Sequence, residues 1–262
     1  MMPGDVLTGG ARQKSDPARL ALLLAGPAAV ALASWAYLAL MIGDMSAIPG
    51  MKAMMMSPQM FSPVQFTGLF AMWAIMMAAM MLPTAVPMIL AYARMQAADR
   101  ARDEGWLPVA AFSGGYVLAW TGFSLAATVL QAGFTTLALM SPMMMKVTAP
   151  LGGGILVAAG LYQFSSLKQA CLNQCRTPLS FLMTRWRDGA WGCLRMGAEH
   201  GLLCIGCCWA LMGLLFVGGV MNAAWIVAIT VYVLIEKILP KSEVLSKVSG
   251  AAMIGFGLWI WI

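Results

Sequence analysis

The sequence predicts an all-α, polytopic membrane protein with about seven transmembrane helices. Three observations carry that expectation. The chain's 262 residues are 61% hydrophobic and only 10% charged. Apolar runs of about 18 or more residues recur along it, and about 20 apolar residues cross the hydrocarbon core as a helix. The alternating apolar and polar pattern of a membrane barrel does not occur. Residues 1–19 read as a disordered cytoplasmic tail, and residues 20–262 as a single integral membrane domain.

The first apolar segment, 20–42, exceeds the ~7–15 residues of a signal-peptide core, and no small-residue cleavage site follows it, so it reads as a retained helix. The second, 66–91, contains "MWAIMMAAMMLPTAVPM" (72–88). Within it Met72, Met76 and Met80 form one i, i+4 ladder, and Met77, Met81 and Met88 form another. Pro83 and Pro87 are expected to kink this helix. The third segment is 108–130. The fourth, 150–168, opens on "LGGG". No Lys-Ser/Thr follows those glycines, so they suit close helix packing and not a phosphate loop.

Between the fourth and fifth segments, "PLSFLMTRWRDGAWG" (178–192) mixes Phe181, Trp186 and Trp191 with Arg185 and Arg187. That mixture fits a segment at the cytoplasmic interface, or an ordinary loop with anchoring aromatics. The fifth segment is 200–220 and the sixth 222–239. The seventh, 247–262, is the shortest. Residues 43–65 and 131–149 are the sizeable loops of the opposite side, both rich in Met, Pro and Ser.

The basic residues set the expected orientation. Arg12, Lys14 and Arg19 precede the first segment, and Arg94, Arg100 and Arg102 follow the second. Lys168, Arg176, Arg185, Arg187 and Arg195 follow the fourth, and Lys237, Lys241 and Lys247 follow the sixth. These alternate loops hold fourteen of the sixteen basic residues, which leaves Lys52 and Lys146 for the other side. The positive-inside rule then puts the N-terminus in the cytoplasm and the C-terminus in the periplasm of a bacterial inner membrane. The net charge of +6 is a topology signal, because no soluble basic domain or nucleic-acid motif accompanies it.

The chemistry concentrates in "HGLLCIGCCW" (200–209), which holds the single histidine and three of the six cysteines. On a helix, His200, Cys204 and Cys207 fall within about 60° of one another, with Cys208 to one side. An earlier helix start adds Cys193 and Met196 to the same stripe. Glu199 faces about 100° away and marks the interface. Thiolate, thioether and imidazole are the donors that soft metals select. Monovalent copper accepts two or three of them, whereas zinc usually takes four in a tetrahedron. Cys171 and Cys175, in "KQACLNQCRTP", lie four residues apart and face one way on a helix. The reducing cytosol argues against a structural disulfide there.

Twenty-five residues are methionine, and several cluster in the outer loops as "MKAMMMSPQM" (51–60) and "MSPMMMK" (140–146). Methionine in a membrane helix usually provides adaptable packing, but clusters in solvent-facing loops call for another account. The outer face thus offers Met alone and the inner face offers Cys and His. This division points to a soft metal captured outside and received inside.

The stretches "MWAIMMAAMMLPTAVPM", "YQFSSLKQACLNQCRTP" and "RMGAEHGLLCIGCCWALMGLLFVGGVMNAAW", with a Glu-Lys pair beyond, closely resemble a family of bacterial metal-binding integral membrane proteins of unknown function, some of them labelled copper chaperones. The resemblance runs from the second segment to the end of the sixth. It implies His200, Cys204, Cys207, Cys208, Cys171 and Cys175 as ligands. That family often has a histidine before the second cysteine of the loop pair. Here the position is Gln174, so no imidazole carries over to that loop. The Met72, Met76, Met80, Met77 and Met81 ladders also resemble the MxxxM motif of eukaryotic high-affinity copper transporters, although fold and length differ.

The expected function is membrane handling of monovalent copper, by import or by delivery to a periplasmic or cytoplasmic copper protein, within a membrane complex or oligomer. Two other classes remain: a membrane thiol–disulfide oxidoreductase working through Cys204, Cys207 and Cys208, and an assembly subunit of a copper enzyme. No enzymatic role is expected, and the sequence has no outside cysteine to receive electrons.

Overall fold

The computed structural model describes residues 17–43, 63–98, 106–141, 145–239 and 242–262, and these are almost wholly α-helical. The long helices are α1 (Pro17–Gly43), α2 (Pro63–Ala98), α3 (Leu107–Thr136) and α7 (Gly189–Gly213). A two-stranded antiparallel pair, β1 (Met140–Ser141) and β2 (Lys146–Val147), leads into α4 (Ala149–Gln163). Then come α5 (Ser166–Arg176) and α6 (Pro178–Arg185). One helical turn, α8 (Leu215–Gly218), follows α7, and α9 (Ala223–Ile238) and α10 (Ser242–Trp259) complete the order.

Four stretches among the described residues are long and apolar enough to cross a membrane: Leu20–Leu40, Pro63–Gln96, Leu107–Thr136 and Gly189–Gly218. The remaining three expected spans correspond to α4, α9 and α10, at 15, 16 and 18 residues. Two of the boundary changes bear on the site. The fourth segment stops at Gln163, and Ser165 caps a new helix by accepting the Leu167 N–H at 3.1 Å. The fifth starts eleven residues earlier than expected, at Gly189, which draws Cys193 and Met196 into the same helix as Cys204.

Glycine sets the two closest helix contacts. A Cβ on Gly197 would lie 1.8 Å from the Phe112 carbonyl oxygen, and one on Gly115 would lie 1.9 Å from that of Leu194. Gly201 meets Tyr116 and Ala119 a turn further on, so α3 and α7 run parallel with their backbones nearly touching. In the second contact Gly153 meets Gly257 and Gly160 meets Gly250, each against the other's carbonyl. These pairs make α4 and α10 antiparallel, and Gly153 in "LGGG" is a packing residue as expected.

α2 continues through Pro83 and Pro87 without a break. Beside them the Met81 carbonyl accepts from Thr84 Oγ1 at 2.9 Å and from Tyr116 Oη at 3.1 Å, which anchors this stretch to α3. Trp73 Nε1 donates to Gln131 Oε1 on α3 at 2.6 Å. The core lies where α2, α3 and α7 meet, and large apolar side chains such as Leu22, Leu32 and Leu40 of α1 face outward. An apolar exterior around a core this well packed suits lipid as the solvent.

Two lysines assigned to cytoplasmic loops are not surface charges. Lys168 is 1% exposed and pairs with Glu236 at 2.8 Å, and Glu236 also accepts from Ser246 and Tyr232. Lys168 further bonds Gln163. Lys237 points inward at the end of α9. Lys168, fully buried, needs its partner, and half-buried Lys237 has two of its own.

Candidate metal centre

α7 carries the centre. The Sγ atoms of Cys204, Cys207 and Cys208 all lie within 4.8 Å of one another, and each residue is 2% exposed or less. Local helix geometry brings them together. The Cys207 and Cys208 thiols both donate back to the Cys204 carbonyl, at 3.1 and 2.8 Å, which turns them toward the same point. All six cysteines are free thiols.

α5 adds a fourth sulfur. Lys168, Leu172 and Cys175 are its buried face, and the Cys175 thiol interacts electrostatically with Cys207. Cys171, half-buried, packs on Gly206 so closely that a Cβ there would lie 2.7 Å from its Sγ. Only a glycine at 206 admits the two helices at this distance. The loop pair and the membrane motif, separate in sequence, are therefore one site. The interaction with Cys207, and burial after it, hold the Cys175 thiol well above its ordinary pKa. Burial, then the Cys207 sulfur, also raises Cys171.

Three residues that the sequence did not single out complete the wall. Lys237 Nζ lies 3.1 Å from Cys204 Sγ and 2.8 Å from Thr84 Oγ1. Tyr116 Oη is 3.1 Å from the same sulfur. The only available signal was a cation and a phenol inside apolar segments, which are functional candidates by default. A cleft of about 690 Å3, lined by Asn173, Arg176, Lys237 and Glu243 among others, opens beside Lys237.

His200 lies one turn before Cys204 but outside the thiol cluster. It is 2% exposed and set among Phe112, Tyr116 and Phe181, with ring centroids 6.2, 5.6 and 5.5 Å away. Its Nδ1 has no hydrogen-bond partner among the described residues. Glu199, on the other face, pairs with Arg185, Arg187 and Arg195 at 3.1–3.2 Å.

Met72, Met76, Met77, Met80 and Met81 are all buried in α2, at 5% exposure or less. Met140 and Met145 of the second outer cluster are also buried, so these two sulfurs face the core and not solvent. Met143 and Met144, and the whole cluster at 51–60, lie outside the described residues.

Fold and site together define an all-α protein with four membrane-length helices and a buried thiol cluster of the kind that holds a thiophilic metal ion. The family model of the PpoB2 copper chaperones matches residues 70–260, and the chain belongs to that family. No curated protein and no solved structure matches it.

Proposed function

We propose that the protein handles monovalent copper in a bacterial inner membrane, by import or by membrane-bound delivery. In this reading methionines capture the ion outside, and Cys204, Cys207 and Cys208, joined by Cys175, receive it inside. The chain crosses seven times with its N-terminus in the cytoplasm. The carrying observation is the convergence of three α7 sulfurs within 4.8 Å, with the buried Cys175 of α5 beside Cys207. Soft donors without a carboxylate suit a monovalent d10 ion over a hard cation. The parallel run of α3 and α7 supports this topology, in which both helices pass from inside to outside. The cleft beside Lys237 offers a route for exchange with a partner.

The test is chelator competition for monovalent copper on wild type, Cys204→Ser, Cys207→Ser and the Cys204/Cys207 double variant. Each change is expected to weaken the tightest site. Unchanged affinity in a folded double variant rejects the metal reading. A reversible disulfide among these thiols in wild type would then favour the oxidoreductase class, and metal-independent loss of a copper enzyme would favour the assembly subunit.

A further inference from the structure

The thiol cluster does not use all the soft donors in the core. On α7, Cys193, Met196, His200, Cys204 and Cys207 follow at intervals of three and four residues. They share a stripe about 80° wide on the helix. All five are buried, none above 3% exposed. At ~1.5 Å per residue the line from Cys193 to Cys207 is about 21 Å long.

His200 stands in the middle of this line. A buried imidazole nitrogen left unpaired costs on the order of 1–3 kcal/mol, and the rings around it offer faces instead of donors or acceptors. Its Nδ1 is thus available to a ligand that no described residue supplies. Met196 is one turn away on the side opposite Cys204. Beyond it Cys193 is held by Tyr92, whose hydroxyl donates to Sγ at 3.0 Å. Further along the line Tyr116 Oη lies 3.1 Å from Cys204 Sγ. Between the two phenols, Tyr92 stacks on Phe112 at 4.8 Å, and Phe112 and Tyr116 both stack on His200. An aromatic wall therefore backs the donors and excludes water along the line.

We propose that Met196 and His200 form a second soft-metal station, distinct from the thiol cluster, from which an ion passes to Cys193, about 10 Å along the helix from His200, and so leaves toward the Cys193 end of α7. This rests on the copper reading above. The step is ligand exchange and involves no redox change, so the ion stays monovalent throughout. Cys193 gives up its thiol proton to solvent as it takes the ion, and the cluster thiol that releases the ion regains a proton. Thioether and neutral imidazole exchange no proton. The line ends beside the Arg187 carbonyl, 4.0 Å from Cys193 Sγ, and the Arg187 side chain, 40% exposed, pairs with Glu199. α2 and α3, at 36 and 30 residues, outreach a ~30 Å hydrocarbon core, so this end can stand clear of lipid, where an acceptor meets it.

The experiment titrates the full-length protein anaerobically with monovalent copper and follows release to excess chelator. Wild type is expected to take a second, weaker ion after the cluster fills. Cys193→Ser with Met196→Leu, both close in volume, is expected to lose that second ion and to release the first more slowly. Copper-edge X-ray absorption on Cys204→Ser/Cys207→Ser/Cys208→Ser is expected to show mixed sulfur and nitrogen coordination, with the nitrogen lost on adding His200→Ala. A wild type with one ion, whose release is unchanged in Cys193→Ser/Met196→Leu, overturns the second station and leaves the copper reading standing. A wild type that takes no ion overturns both.

Discussion

The ammonium of Lys237, from the end of α9, lies 3.1 Å from the sulfur of Cys204 in the middle of α7. It also donates to Thr84 on α2, so one cation links three helices at the thiol cluster. Lys237→Met keeps the stem and removes the charge. Loss of these charge-assisted bonds is expected to destabilise the metal-free protein by about 1–3 kcal/mol. A bound metal ion supplies positive charge to the same sulfurs, so the loss is smaller in the loaded protein. Melting with and without monovalent silver checks this. The metal-induced rise in Tm is expected to be larger in the variant than in wild type, and equal rises would reject it.

Copper affinity is expected to rise with pH. Cys175 is held protonated by its interaction with Cys207 and by burial, and Cys171 is raised by burial. Metal must displace such a proton, so binding is weakest at acid pH and strengthens as pH approaches the raised thiol values. The slope is up to about tenfold per pH unit for each proton displaced. Competition titrations at several pH values give that slope. A flat profile would mean that these thiols lose no proton to the metal.

The α3–α7 crossing admits no side chain at Gly197, where a Cβ would sit 1.8 Å from the Phe112 carbonyl. Gly197→Ala is expected to cost about 1–3 kcal/mol or more, and to reduce metal binding because His200 and Cys204 shift with α7. Gly114→Ala, on the α3 surface with nothing within 4 Å, is expected to be neutral or to stabilise by up to about 1 kcal/mol. Thermal melts of the pair in detergent decide between specific packing and a general intolerance of change.

Replacing Met76, Met77, Met80 and Met81 by Leu conserves volume and removes sulfur. Each swap is expected to cost less than about 1.5 kcal/mol. If these sulfurs carry copper, growth fails at limiting copper and recovers when copper is raised. Growth equal to wild type at every copper level would make all four packing residues, in keeping with their complete burial.

Reporter fusions at Ile262 are expected to signal the periplasm, and fusions between residues 99 and 105 the cytoplasm. The short helices α4 and α9 make this a sharp test. At ~1.5 Å per residue their 15 and 16 residues span about 24 Å or less, under the ~30 Å core. A cytoplasmic signal at Ile262 would show that α4, α9 and α10 do not all cross.

Composition and apolar run length were enough for the helical class, because a membrane span is a local property of about 20 residues. The three- and four-residue spacing in "HGLLCIGCCW" was likewise enough to bring Cys204 and Cys207 together, since one helix fixes their angles, but Cys208, expected to one side, joins them and His200, expected with them, stands outside. What local periodicity does not carry is which helices touch. The early start of α7 and the break at Phe164 each moved a boundary, because buried contacts and a Ser165 cap outweigh hydropathy there. The tertiary structure alone joined Cys175 to Cys207 and brought Lys237 and Tyr116 to Cys204. It also buried Lys168, which read from sequence as a loop charge, against Glu236. Those pairings depend on glycines at the helix crossings and on distances between residues up to 88 positions apart. Side-chain chemistry is written along the chain, but its convergence is set only when the helices pack.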